Sequence, residues 1–307
     1  MRFLFGGKGG VGKTTISSAF AVLAARRRPA VLVSLDPAHS LSDVFGVHIG
    51  EREKEIAFPS VPTGRLKAVE IDPQRALQDY KRQTLRRIHS LNLQLDFDID
   101  RYVEAVTLSP GAEESATFEG FLAYLRRPET ETVVFDTAPT AATLRLLELA
   151  DLMDQWVTLI LKARGEVDRL REMAEGGPVD DPLIRELRAM EADIREAGRI
   201  LRSPNTQIVL VVQPERLPVE ETKRTAAILK RFDLEPAGVV VNRVARSADD
   251  PTLARLQQRY LEELRAEWGD RVLAEVPLCA REPTGGELAR VADVLDKSRL
   301  GELARAE

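Results

Sequence analysis

The sequence predicts an α/β fold, a mostly parallel sheet flanked by helices, and three observations carry that prediction. Short apolar runs alternate with longer segments of helical period along much of the chain. The runs are rich in Val, Ile and Leu with little polar alternation, the pattern of strands covered on both faces. A glycine-rich loop, G-K-G-G-V-G-K-T over residues 7–14, joins the first run to the first helical segment. Composition agrees. Hydrophobic residues make up 44% and charged residues 30% of 307, enough to bury a core and keep a polar surface.

The strand-length runs are Arg2–Phe5, Ala30–Leu35, Leu66–Ile71, Thr132–Phe135, Gln207–Val212, Ala237–Val241 and Val272–Val276. Helical stretches Lys13–Arg26, Glu220–Arg231, Pro251–Trp268 and Glu287–Leu295 lie between or beyond them. Two segments break the alternation. Pro73–Arg127 reads as largely helical, although Leu91, Leu93, Leu95, Phe97 and Ile99 alternate with polar residues at a strand's period. In Leu152–Arg202, the residues Leu183, Leu187, Met190, Ile194, Ala197 and Leu201 form a seam of 3.5-residue period. Trp156, Ile160, Ala163, Val167, Leu170 and Ala174 keep a similar spacing, and the helix-breaking stretch Glu175–Pro182 separates the two. A helical hairpin is expected.

Charge and cysteine usage exclude several classes. With 49 acidic against 44 basic residues the net charge is -5, so no nucleic-acid partner is expected. The single cysteine, Cys279, excludes an intrachain disulfide framework and a complete Cys-based zinc or iron–sulfur site within one chain. The N-terminal apolar run is too short for a signal peptide, and no stretch of about 18 apolar residues appears. A cytoplasmic protein is the expectation.

The loop satisfies G-x-x-x-x-G-K-[ST] between a strand and a helix, which identifies a P-loop nucleotide site. Gly7, Gly9, Gly10 and Gly12 let the backbone present its N–H groups to phosphate, and the positive end of the following helix adds to the attraction. The expected nucleotide-binding run is Gly7, Lys8, Gly9, Gly10, Val11, Gly12, Lys13, Thr14 and Thr15. Lys13 can reach the β- and γ-phosphates of ATP, and the Thr14 hydroxyl can enter a magnesium shell. Lys8 is the unusual member. Only nine of the 44 basic residues are lysines, so an indifferent cation would be arginine four times in five. A compact ammonium suits a phosphate met as a point charge.

Two aspartates close apolar runs. Asp36 opens D-P-A-H-S-L-S-D and Asp136 opens D-T-A-P-T-A-A-T. In open parallel sheets such strand ends meet ligands. A carboxylate there can orient water or help hold magnesium.

The loop with its extra lysine resembles the deviant Walker A motif of the MinD/ParA, nitrogenase-iron-protein and arsenical-pump ATPases. D-P-A-H-S-L-S-D, S-P-G-A-E-E (Ser109–Glu114), D-T-A-P-T-A-A-T-L-R, P-E-R-L-P-V-E-E-T-K-R (Pro214–Arg224) and V-V-V-N-R (Val239–Arg243) narrow the resemblance. Together they are similar to the arsenical-pump ATPases and the guided-entry ATPases for tail-anchored membrane proteins. The resemblance spans Gly6 to about Pro277 and implies a single P-loop ATPase domain over residues 1–307. A largely helical insertion would fill 73–130, and after switch II the hairpin 152–203 would be a client-binding subdomain.

Carried over by position, Asp36 is the switch I aspartate that aligns the attacking water and Asp136 belongs to switch II, holding magnesium with Thr14. Lys8 would reach the nucleotide of a partner subunit, so a homodimer is implied. Asn242 and Pro277 would contact adenine, and Glu221 the nucleotide. The implied partner is a hydrophobic membrane-protein segment or a membrane transporter. The alternative is a MinD/ParA-like ATPase, a spatial organiser on membrane or DNA. Three departures count. With one cysteine there is no direct arsenite site and no C-x-x-C zinc clasp, and Ala141 and Ala142 replace the Gly and His of the familiar switch II sequence. The hairpin has only Met153, Met173 and Met190, and its seam serves self-packing or a client groove equally well.

Overall fold

All seven apolar runs are strands of one sheet. The structure, a computed structural model, describes residues 1–35, 40–90, 112–136, 155, 158, 159, 162, 192, 193 and 195–305. In chain order the elements are β1 (Arg2–Gly6), α1 (Lys13–Ala25), β2 (Ala30–Ser34), α2 (Ser40–Phe45), β3 (Lys54–Glu55), β4 (Leu66–Glu70) and α3 (Pro73–Ser90). They continue with α4 (Ala112–Leu125), β5 (Thr132–Asp136), β6 (Thr206–Val212), α5 (Arg216–Arg231), β7 (Gly238–Val244), α6 (Pro251–Trp268), β8 (Val272–Pro277), α7 (Leu288–Asp296) and α8 (Arg299–Leu303). Contacts divide the chain into two compact units. One comprises Met1–Asp72, Ala123–Leu144 and Pro204–Glu307, the other Pro73–Leu122 and Arg145–Ser203.

The first unit holds the eight-stranded sheet, in the order β3-β4-β2-β5-β1-β6-β7-β8. Every pairing is parallel except that of the two-residue edge strand β3 with β4. The carboxyl ends of the parallel strands therefore share one edge. There Phe5 lies level with Asp136, and Asp136 with Ser34. β1 sits between β5 and β6, so successive strands change sides about it, which opens a crevice at its carboxyl end.

One helix fills the middle of the core. α1 reads K-T-T-I-S-S-A-F-A-V-L-A-A and is buried on every side, as expected of a helix apolar all round. Phe20 stacks at 4.5 Å from Phe3 and 5.3 Å from Phe5, both on β1. Leu288, Val291, Ala292 and Leu295 of α7 join the same cluster, so the apolar stripe of α7 is spent on α1. Arg26 meets Asp293 at 2.7 Å, and Arg27 pairs with Asp296.

The sequence and the structure differ at element ends. α5 begins at Arg216, four residues before the expected start, because Pro218 lies in its first turn, where a missing N–H costs nothing. β7 continues past Val241 through Asn242, Arg243 and Val244. β3, α2 and α8 carry no pattern long enough to read. In the second unit, α3 is helical, and residues 195–201 are helical with Ala197, Ile200 and Leu201 buried. The alternating segment 91–99 and most of the hairpin seam lie outside the described residues. Among the described residues no helix is long and apolar enough to cross a membrane.

Phe20→Ala is expected to lower stability by about 3–5 kcal/mol, since it empties the ring site between Phe3 and Phe5; urea denaturation measures it.

Candidate functional site

The loop leaves β1 at the centre of the carboxyl edge and turns through glycines at left-handed φ: 83° at Gly10 and 88° at Gly12. A Cβ at Gly12 would stand 2.3 Å from Asn242 Nδ2, and one at Gly7 2.4 Å from the Val211 carbonyl oxygen. Both glycines are required by close approach of β6 or β7.

Two carboxamides hold the loop from behind. Asn242 Nδ2 donates to the Val11 carbonyl at 2.8 Å, and Gln213 Nε2 donates to the Gly10 carbonyl at 3.2 Å. In a trans peptide the N–H points opposite to the C=O. Drawing those two carbonyls back turns the N–H groups of Val11 and Gly12 forward, where an anion can meet them. The next carbonyl, Gly12, accepts from Ile16 N at 3.0 Å and opens the first turn of α1. Lys13 and Thr15 are buried at that helix start, while Thr14 is half-buried.

Gly9 and Gly10 are exposed and Lys8 is half-buried, its ammonium 3.6 Å from the Glu221 carboxylate on α5. Glu221 thus stands with Lys8 and does not line the cavity described below. Two residues on, Lys223 is an architectural cation. It meets Glu263 at 2.5 Å and Glu267 at 3.3 Å, tying α5 to α6, and the Glu263 hydrogen bond holds its pKa above the ordinary lysine value.

Asp136 ends β5 fully buried, with its carbonyl accepting from Leu35 N at 2.9 Å. Asp36 lies outside the described residues, in the interval 36–39 between Leu35 and Ser40. Downstream of that interval stands a residue the sequence reading missed. Glu70, buried at the end of β4, accepts from Leu41 N at 2.9 Å and Ser42 N at 3.1 Å with one oxygen, and from the Ser42 hydroxyl at 2.9 Å with the other. A carboxylate capping α2 from another strand satisfies donors that a helix start leaves open. The readable signal was V-E closing an apolar run, the same as F-D at Asp136. Gln213, directly after β6, gave no comparable signal.

Beside the loop is an open cavity of about 190 Å3 lined by Gly12, Thr15, Asn242, Arg243, Val276 and Pro277, and also by residues 278–283. It brings together two residues expected at a base, Asn242 and Pro277, with the end of the phosphate loop. Cys279 is exposed there.

The model for the family described as anion-transporting ATPase matches residues 1–297. The chain belongs to that family. A protein of Aquifex aeolicus named "Putative arsenical pump-driving ATPase 2" is 30% identical over 93% of this chain and 95% of its own length. ATPase ARSA2 of Chlamydomonas reinhardtii is 31% identical over 94% and 82% respectively. ATPase GET3 of the yeast Zygosaccharomyces rouxii is 29% identical over 93% and 86%. Membership of an ATPase family implies nucleotide binding, and the P-loop NTPase reading of the fold stands with it.

Gly12→Ala is expected to weaken ATP binding at least tenfold. The added Cβ costs about 1–2 kcal/mol at this φ and displaces the Asn242 amide as well. Fluorescence titration with ATP measures the effect.

Proposed function

We propose that the chain is a magnesium-dependent ATPase that works as a homodimer and couples nucleotide-driven opening and closing to binding of a hydrophobic protein segment or membrane partner. The observation that carries the ATPase reading is the phosphate loop with two carbonyls drawn back and its N–H groups turned forward beside a buried lysine. Gly7–Thr15 hold the triphosphate, with Lys13 at the β- and γ-phosphates. The base occupies the neighbouring cavity. Val11 accepts from Asn242 Nδ2, which fixes the carboxamide and leaves its Oδ1 to accept from an exocyclic amino group. Adenine offers that donor. Guanine presents a carbonyl at the equivalent atom.

Magnesium fits the donors present. A hydroxyl at Thr14 and a buried carboxylate at Asp136, level with Phe5 just before the loop, are the hard oxygen ligands this ion takes. When bound, the ion neutralises charge on the phosphate oxygens. Asp36 orients the attacking water, and Lys8 of a second subunit offsets charge on the departing phosphate. Little covalent work falls to the protein, so positioning and charge do most of it.

The organiser reading is less well supported. A surface-bound helix needs a free apolar face, and that of α7 is buried on α1. The names of the relatives, arsenical pump-driving ATPase and ATPase GET3, favour the partner-coupled reading.

Lys8→Ala is expected to lower turnover about 10²–10³-fold with ATP affinity little changed. The decisive test mixes two inactive variants. Lys8→Ala keeps its own nucleotide site and lacks the lysine it lends, whereas Lys13→Ala lends Lys8 but cannot use ATP itself. Recovery of hydrolysis on mixing supports the homodimer with a lent lysine, and a mixture as inactive as its parts rejects it. Asp36→Asn should retain ATP and hydrolyse it slowly, measured by single turnover.

A further inference from the structure

Against β8, β7 changes register first between Val239 and Val240 and again between Val241 and Val244, and within that second irregularity Arg243 has φ 57°. Left-handed backbone is unusual for a bulky side chain and costs about 1–2 kcal/mol, so something must hold it.

The holder is Gln257 on α6. Its Nε2 donates to the Arg243 carbonyl at 3.0 Å and its Oε1 accepts from Ala245 N at 2.8 Å, so one carboxamide spans both sides of the bulge. Gln257 is 4% exposed. It occupies the first place of the buried stripe Gln257, Leu261, Leu264 and Trp268, where the helical pattern calls for an apolar side chain. A buried amide in such a stripe is retained at a cost unless both its groups are used, and both are.

The bulge shapes the cavity. Consecutive residues of a regular strand point to opposite faces. Asn242 and Arg243 are consecutive, yet both line the cavity, and Asn242 also reaches the Val11 carbonyl. Bulges re-aim side chains in this way.

We propose that Gln257 is a positioning residue for the nucleotide-base site: by holding Arg243 in the left-handed conformation it turns Asn242 and Arg243 to the base. The proposal rests on the reading that the base occupies this cavity.

The test titrates two ligands, ATP and inorganic tripolyphosphate, into Gln257→Leu. Tripolyphosphate uses the phosphate loop without a base, so its affinity should stay near that of the unaltered protein. ATP should bind about tenfold more weakly, the scale of one lost set of directed hydrogen bonds. Gln257→Glu keeps the acceptor for Ala245 N and loses the donor to Arg243; it serves if the leucine variant does not fold, with a smaller loss of the same selectivity. Glycine takes the left-handed conformation unaided. In an Arg243→Gly background, therefore, Gln257→Leu should change the ATP-to-tripolyphosphate ratio much less than it does in the presence of Arg243.

Equal weakening of both ligands would mean general damage and overturn the proposal. An unchanged ratio in the Gln257 variants, alongside a lowered ATP-to-tripolyphosphate ratio in Asn242→Ala, which also takes the donor from the Val11 carbonyl and weakens both ligands, would overturn the role of Gln257 and leave the base reading standing. An unchanged ratio in Asn242→Ala as well would remove the base from this cavity, and the proposal with it.

Discussion

A phosphate loop works only if its carbonyls face away from the anion, and buried carbonyls need donors. In this protein Asn242 and Gln213 supply them, from segments 231 and 203 residues away in sequence. Everything else at the carboxyl edge is arranged around that requirement. Parallel pairing of β1 with β6, and of β6 with β7, brings the two amides behind the loop, and the glycines at 7 and 12 allow the approach. Replacing Asn242 by an apolar side chain would leave the buried Val11 carbonyl without its partner, a larger loss than the hydrogen bond alone.

The same edge has two sides. Toward β5 and β2 stand the carboxylate of Asp136 and, beyond the interval 36–39, the helix α2 held by Glu70. Toward β7 and β8 stand the bulge and the cavity. The two sides meet at β1, the strand about which the sheet order reverses.

Much of this was legible. Seven strands could be read because each is largely buried and leaves an apolar run, and α6 because Asp250 caps it before Pro251. The loop was legible through its spacing alone. β3 was not, being two exposed residues on an edge. β7 seemed to stop at Val241 because the polar pair Asn242–Arg243 reads as a loop, while the bulge that carries it depends on a glutamine in another element. Gln213, Gln257 and Glu70 have in common that their partners are distant in sequence, so local pattern cannot reveal them. Where Lys8 would rest within its own chain was equally invisible.

That resting place has a consequence for how a polyanion enters. The Lys8–Glu221 pair at 3.6 Å is partly exposed and contributes less than about 1 kcal/mol, too little to keep the ammonium from a stronger counter-charge. It does offset one positive charge of the loop with a partly exposed carboxylate. On the proposed reading, an incoming triphosphate would repel Glu221 and attract Lys8 at once, so ligand arrival and release of the lysine would be one thermodynamic event. Raising the ionic strength screens both halves of that exchange together.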